Sequence, residues 1–215
     1  MKADNLLLIV AIIAVVVAVL GAGITYNYLT SFRNKLTGFA TGTGTINLSV
    51  ESAAIINFTT NVINWGSGRV NAGSDNATLN TAGGANNVTG GNWTGNTAGF
   101  VVENIGNLNV TFDLKTGLNN VSLLGGSAGI GPQYRYNVTN KDAGSCLNST
   151  GGTDLSITLG TFYDVNTTDP GTRICGRFVF PDASDELRID VKLIIPSDSK
   201  TGTISDTFTA TFAAA

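Results

Sequence analysis

Ten asparagines in this chain stand two residues before a serine or threonine: Asn47, Asn57, Asn76, Asn87, Asn92, Asn109, Asn120, Asn137, Asn148 and Asn166. That spacing is the acceptor pattern for N-linked glycosylation, a surface modification of exported chains. With 23 asparagines and a Ser/Thr frequency of roughly one in five, chance would supply about five such motifs. Asn47, Asn57, Asn109 and Asn137 each lie between apolar neighbours: Ile46/Leu48, Ile56/Phe58, Leu108/Val110 and Tyr136/Val138. In a strand, each of these asparagines therefore takes the wet phase, where a glycan can be carried. The plainer reading is that Asn and Thr are polar fillers of a wet face. On the first reading the only attached groups are covalent N-glycans, and no cofactor is expected.

Two cysteines, Cys146 and Cys175, are the other reactive pair. In a chain exported across a membrane they read as a disulfide, and the alternative is two buried thiols. A thiol enzyme is disfavoured, because the chain has 0 histidines to activate a thiolate. The same absence removes the commonest general base and the commonest transition-metal ligand. There is no P-loop, no CxxC and no G-x-S-x-G, so the chain reads as a non-enzyme. Asp182, Asp185 and Glu186, with Asp164 and Asp169, could ligate calcium, but their spacing does not match the EF-hand loop. A solvated acidic loop is the simpler account, and no metal site is assigned. Trp65 and Trp93 are either sugar-stacking platforms or anchors of a surface lobe. The net charge is -3, with 12 basic and 15 acidic residues and no basic patch, so nucleic acid is not an expected partner.

These residues need elements to position them, and the chain falls into two unlike parts. Leu6 to Ile24 runs nineteen residues without a charge, long enough to span a bilayer as a helix. The run continues through Thr25 to Leu36, and Lys35 with Gly38 makes a sound helix stop. From Asp4 to Leu36 the helix would be about 50 Å long at ~1.5 Å per residue. Its first half is apolar on all sides, so it must be surrounded by lipid or by copies of itself. Ala11, Ala14, Ala18 and Gly21 place small residues at three- and four-residue spacing, which lets helices approach closely where water is absent. Tyr26, Tyr28 and Phe32, followed by Arg33 and Lys35, form an interfacial collar. A cleaved secretory signal, with Ala18 to Gly23 imitating a cleavage site, and a permanent anchor are the two competing readings.

Lys2-Ala3 before Asp4 and the apolar run resembles the class III leader of archaeal type IV pilins and archaellins. The early glutamate of bacterial type IV pilins is missing, so the archaeal branch is the better match. The resemblance covers about the first forty residues. It implies cleavage between Ala3 and Asp4 by a prepilin-type peptidase, with the helix kept on the mature chain. It further implies a membrane-anchored precursor and a helical homopolymer built by filament assembly machinery at the cell surface. The expected function is a pilus-like filament for adhesion, the alternative being an archaellin of a rotating archaellum for swimming motility. A membrane-anchored adhesin that never polymerises is the reading from a different class.

The remainder reads as β-structure. Residues 1–3 are a leader, 4–36 the helix, 37–44 a Gly/Thr-rich hinge and 45–215 one glycosylated domain. Strict alternation marks strands at 45–51, 108–115, 188–193 and 207–212. Further strands are expected near 55–63, 100–105, 134–138, 155–161 and 173–180. Gly66 to Gly99 is too rich in Gly and Asn for firm strand assignment and reads as a decorated lobe. The last strand carries no charge; it is a core or edge strand, or an edge that pairs with a neighbouring subunit. Many antiparallel strands with no helical interlude predict a sandwich, immunoglobulin-like, so that the whole layout is α+β.

Overall fold

The computed structural model describes residues 3–36, 48–147 and 157–215. The chain divides into two compact units, Met1–Ser49 and Val50–Ala215. The first contains helix α1 (Ala3–Leu36), which ends where the sequence places its stop. Thr25 Oγ1 donates to the Gly21 carbonyl at 2.7 Å, so this hydroxyl is satisfied within its own helix. The predicted hinge at 37–44 lies outside the described residues.

Among its described residues the second unit carries eleven strands: β1 (Ile56–Thr60), β2 (Asn76–Asn80), β3 (Val88–Thr89), β4 (Phe100–Asn104), β5 (Val110–Thr116), β6 (Gln133–Asn140), β7 (Cys146–Leu147), β8 (Tyr163–Asp164), β9 (Thr172–Phe178), β10 (Glu186–Pro196) and β11 (Phe208–Ala214). All pairings are antiparallel. The first sheet is organised around β10, the longest strand. Strand β6 runs beside it from Leu187↔Asn140 to Ile194↔Gln133. The opposite side of β10 is shared end to end by β4, paired over Glu186 to Ile189, and β2, paired over Lys192 to Pro196. Strand β1 extends the sheet beyond β4, β3 beyond β2, and β8 beyond β6. The second sheet has the order β11-β5-β9-β7.

The two sheets pack face to face as a sandwich. Leu187, Ile189, Tyr136, Val138 and Val102 of the first sheet meet Val110, Phe112, Leu114, Ile174, Cys175 and Phe178 of the second, and all are buried. Period-two alternation explains this: Leu187, Ile189 and Val191 point inward from β10 while Arg188, Asp190 and Lys192 take the other face. Phe208 closes one end of the interface. Its ring lies 5.2 Å from Phe100, 5.8 Å from Tyr134 and 6.4 Å from Tyr136, centroid to centroid.

Three expectations are corrected. Residues 48–51 of the 45–51 alternation belong to no strand, and 45–47 lie outside the described residues. Alternation specifies faces, not a partner, and this stretch has no ladder beside it. Residues 157–161 of the expected 155–161 strand are likewise not in a strand, and 155–156 lie outside the described residues. A short helix, α2 (Asn120–Leu124), interrupts the β-domain, where no helix is expected from the sequence. Asn119 Oδ1 caps it by accepting from Ser122 N at 2.8 Å, and Leu123 and Leu124 are buried beneath it.

Candidate functional site

Three features bear on function: the apolar surface of α1, the asparagines that could carry sugar, and the disulfide with the polar groups around it. On α1 the side chains of Ile9, Val10, Ile12, Ile13, Val15, Val16, Val17, Val19 and Leu20 are all exposed, at 44% to 65%. The segment Ile9–Leu29, 21 residues of mean hydropathy 2.6, is long and apolar enough to cross a membrane by length and composition. Ala11, Ala14, Ala18 and Gly21 lie within it. A side chain added at Gly21 or Gly23 would meet nothing within 4 Å, so packing inside the single chain does not demand small residues there. Ala3 and Asp4 begin the helix, while Met1 and Lys2 lie outside the described residues.

The ten acceptor asparagines divide by accessibility. Asn57 on β1 is exposed, on the wet face the alternation predicts. Asn92 is exposed too, and its Oδ1 accepts from Arg69 N at 2.7 Å. Asn87 and Asn109 are half-buried. Asn166 is half-buried in a turn in which its Oδ1 accepts from Thr168 N at 2.9 Å. Asn76 and Asn120 are already used as structural amides. Asn76 Nδ2 donates to the Ala128 carbonyl at 3.0 Å, and Asn120 Nδ2 donates to the Pro132 carbonyl at 2.8 Å. A glycan there must hang from the remaining N–H position. Asn47 and Asn148 lie outside the described residues.

Asn137 is a correction. It is 7% exposed, and its Oδ1 is buried without a hydrogen-bond partner. The outer face of the first sheet is not wet at this point. Asp190, opposite Asn137 in the register, accepts from Thr81 Oγ1 at 2.7 Å and from Arg188 Nη2 at 2.7 Å. Arg188 Nη2 also donates to the Thr97 carbonyl at 2.7 Å. A Cβ on Gly99 would come within 2.8 Å of Asp190 Oδ1, so the backbone of the 81–99 lobe lies directly across the strand.

Cys146 on β7 and Cys175 on β9 form a disulfide, Cα to Cα 5.4 Å, that ties two adjacent strands of the second sheet. The acids considered for calcium do not converge. Asp164 pairs with Arg135 at 2.7 Å, Glu186 with Lys141 at 2.5 Å, and Asp169 with Lys115. Among the described residues no group of three His, Cys, Asp or Glu side chains forms a candidate metal site. Asp185 is buried; that burial, followed by the charge of Glu103 and those of Asp182 and Asp142, pushes its carboxyl above the ordinary aspartate value.

The tryptophans are lobe anchors. A Cβ on Gly68 or Gly91 would fall 2.3 Å or 2.6 Å from the Trp93 indole, so both backbones pack directly against that ring. Trp65 and Trp93 line a cavity of about 950 Å³ with Leu79, Tyr134, Asp206 and Phe208. Burial, and then the Asp206 carboxylate, hold the Tyr134 hydroxyl well above its ordinary value, so it remains a protonated donor. Sequence reasoning missed this cavity, because its walls come from stretches far apart in the chain. Comparison with protein-family models, with curated proteins and with solved structures finds no match.

Proposed function

We propose that the chain is a structural subunit of an extracellular filament of the archaeal type IV pilus kind, used for attachment to surfaces or other cells. The observation that supports this most is α1, a 34-residue helix whose described apolar side chains are exposed all round, attached to a separate compact β-unit. A helix greasy on every side is stable in lipid, or among copies of itself. In this reading the precursor is held in the membrane through Ile9–Leu29. A prepilin-type peptidase cuts between Ala3 and Asp4. The helices then exchange lipid for helix–helix packing along the filament axis, and the sugar-bearing β-domains form the outer sheath. An archaellin would share this subunit design and differ in the motor it partners.

Mass spectrometry of the N-terminal peptide, taken from material sheared off the cell surface, tests the proposal. The expected result is a peptide beginning at Asp4 in pelletable filaments. Retention of Met1, with the protein found only in detergent-extracted membranes, would replace the filament by a non-polymerising, membrane-anchored adhesin.

A further inference from the structure

Strand β11 is an edge. Strand β5 lies along one side of it over the full register Phe208↔Thr116 to Ala214↔Val110, and among the described residues no strand lies along the other. The direction of its backbone groups follows from two flanking bonds. Ala215 N donates to the Asn109 carbonyl at 3.0 Å, and the Thr207 carbonyl accepts from Gly117 N at 3.2 Å. Backbone groups alternate in direction along an antiparallel strand. The odd-numbered residues therefore bond β5. Phe208, Ala210, Phe212 and Ala214 aim N–H and C=O at the open side.

Native edges are usually blunted by shortness, charge, proline or a bulge. The other edge strands here follow that practice. Strands β3, β7 and β8 have 2 residues each. Strand β1 has a register shift between Phe58 and Thr60 and carries the exposed Asn57. Strand β11 uses none of these devices. It has 7 residues, an unbroken register, no charge and no proline. The chain contains no asparagine after Asn166, so no N-linked sugar can be attached to this strand. The same chain offers a complement. Leu48-Ser49-Val50 lies outside any strand, and its alternating Leu48 and Val50 are 84% and 76% exposed.

We propose that the open edge of β11 is an interface between copies of this chain, and that it takes the Leu48–Val50 stretch of a second copy as an added strand. Main-chain bonds to two neighbouring outward residues, Ala210 and Phe212, hold the pair, since three residues at ~3.3 Å each reach no further along the edge. The exposed ring of Phe212 covers the incoming apolar side chains. The two copies use different surfaces, so the contact is head-to-tail, the kind that propagates along a helical filament when its rotation does not close a ring. The idea rests on the filament reading for the alignment of copies, and it identifies a second contact besides the helices.

The test is residue-resolved amide hydrogen exchange on the full chain recovered from the cell surface, against the same chain dissociated in detergent. Expected is protection of the Ala210 and Phe212 amides by on the order of tenfold or more in surface material, with the odd-numbered amides protected in both. Ala210→Pro removes one outward N–H without touching the β5 ladder, as an edge position allows, and should abolish the difference. Thr211→Lys, which adds a charge on an exposed position, should weaken it without a backbone change. Equal exchange of the even-numbered amides in both preparations would overturn the proposal. Electron microscopy of the same material separates the two ideas. Filaments with unprotected even amides keep the assembly reading and remove the edge contact; protected even amides without filaments do the reverse.

Discussion

Asn137 on β6 lies directly opposite Asp190 on β10, and the two are 7% and 4% exposed. An acceptor motif therefore sits with its asparagine buried beside the Asp190 cluster. A glycan on Asn137 cannot coexist with this packing, since the side chain is buried and its Oδ1 has no access to solvent. Glycopeptide mapping of the native protein should find sugar on Asn57 and Asn92 and none on Asn137. Thr139→Ala, which destroys only the Asn137 motif, should leave the total glycan mass unchanged. Occupied Asn137 would mean that the outer face of the first sheet opens in the mature protein.

Asp185 gives a pH dependence with a definite sign. Burial, then Glu103, Asp182 and Asp142, raise its folded pKa above the unfolded value. The folded state thus binds this proton more tightly. Stability is lost as pH rises from the ordinary aspartate range through the raised value, and nothing is lost below it. Asp185→Asn should raise the midpoint of thermal unfolding by a few degrees at pH 7 and leave it unchanged near pH 3. The Asp185 carbonyl, which accepts from Asn104 N at 3.0 Å, is untouched by the change. Equal effects at both pH values would show that the side chain acts through packing and not through charge.

The disulfide closes a loop of sequence separation 29 between two buried residues. In the chain-entropy model such a loop stabilises by roughly 3–4 kcal/mol. Replacing both residues, Cys146→Ala with Cys175→Ala, should lower the unfolding midpoint by about 10 °C for a domain of this size. The sandwich should survive, because Phe112 and Phe178, with ring centroids 5.8 Å apart, pack in the same core independently of the bond. Calorimetry of the two forms measures the difference.

The helix and four of the main strands were legible because their signals are local. Nineteen uncharged residues from Leu6 leave few other structures, strict alternation marks β5, β10 and β11, and β9 falls in the stretch expected near 173–180. What escaped depends on contacts distant in sequence. Leu48 and Val50 alternate as a strand would, yet a strand needs a ladder, and none of the described chain lies beside them. The burial of Asn137 is not legible either: the polar cluster of Asp190, its cross-strand neighbour, is built by Thr81, Arg188 and Thr97, and Thr81 and Thr97 lie in or beside a Gly/Asn-rich stretch with no period to read. Helix α2 is too short for periodicity; only the Asn119 cap and the Leu123-Leu124 pair hint at it. That β11 is an edge, with its even-numbered amides facing outward, follows only from the register.

Gly21 offers the sharpest separation of folding from assembly. A side chain placed there meets nothing within 4 Å in the single chain. Gly21→Leu should therefore leave membrane insertion of the precursor intact, and leucine is the better helix former by about 0.5–1 kcal/mol. If helices pack closely along the line of Ala11, Ala14, Ala18 and Gly21, the added side chain forces them apart where small residues let backbones meet. Filament yield from Gly21→Leu cells should then fall by on the order of tenfold, and Ala14→Phe should act in the same way. Membrane fractionation and the mass of sheared filaments provide the two readouts. Normal filament yield from both variants would count against assembly through this face of α1.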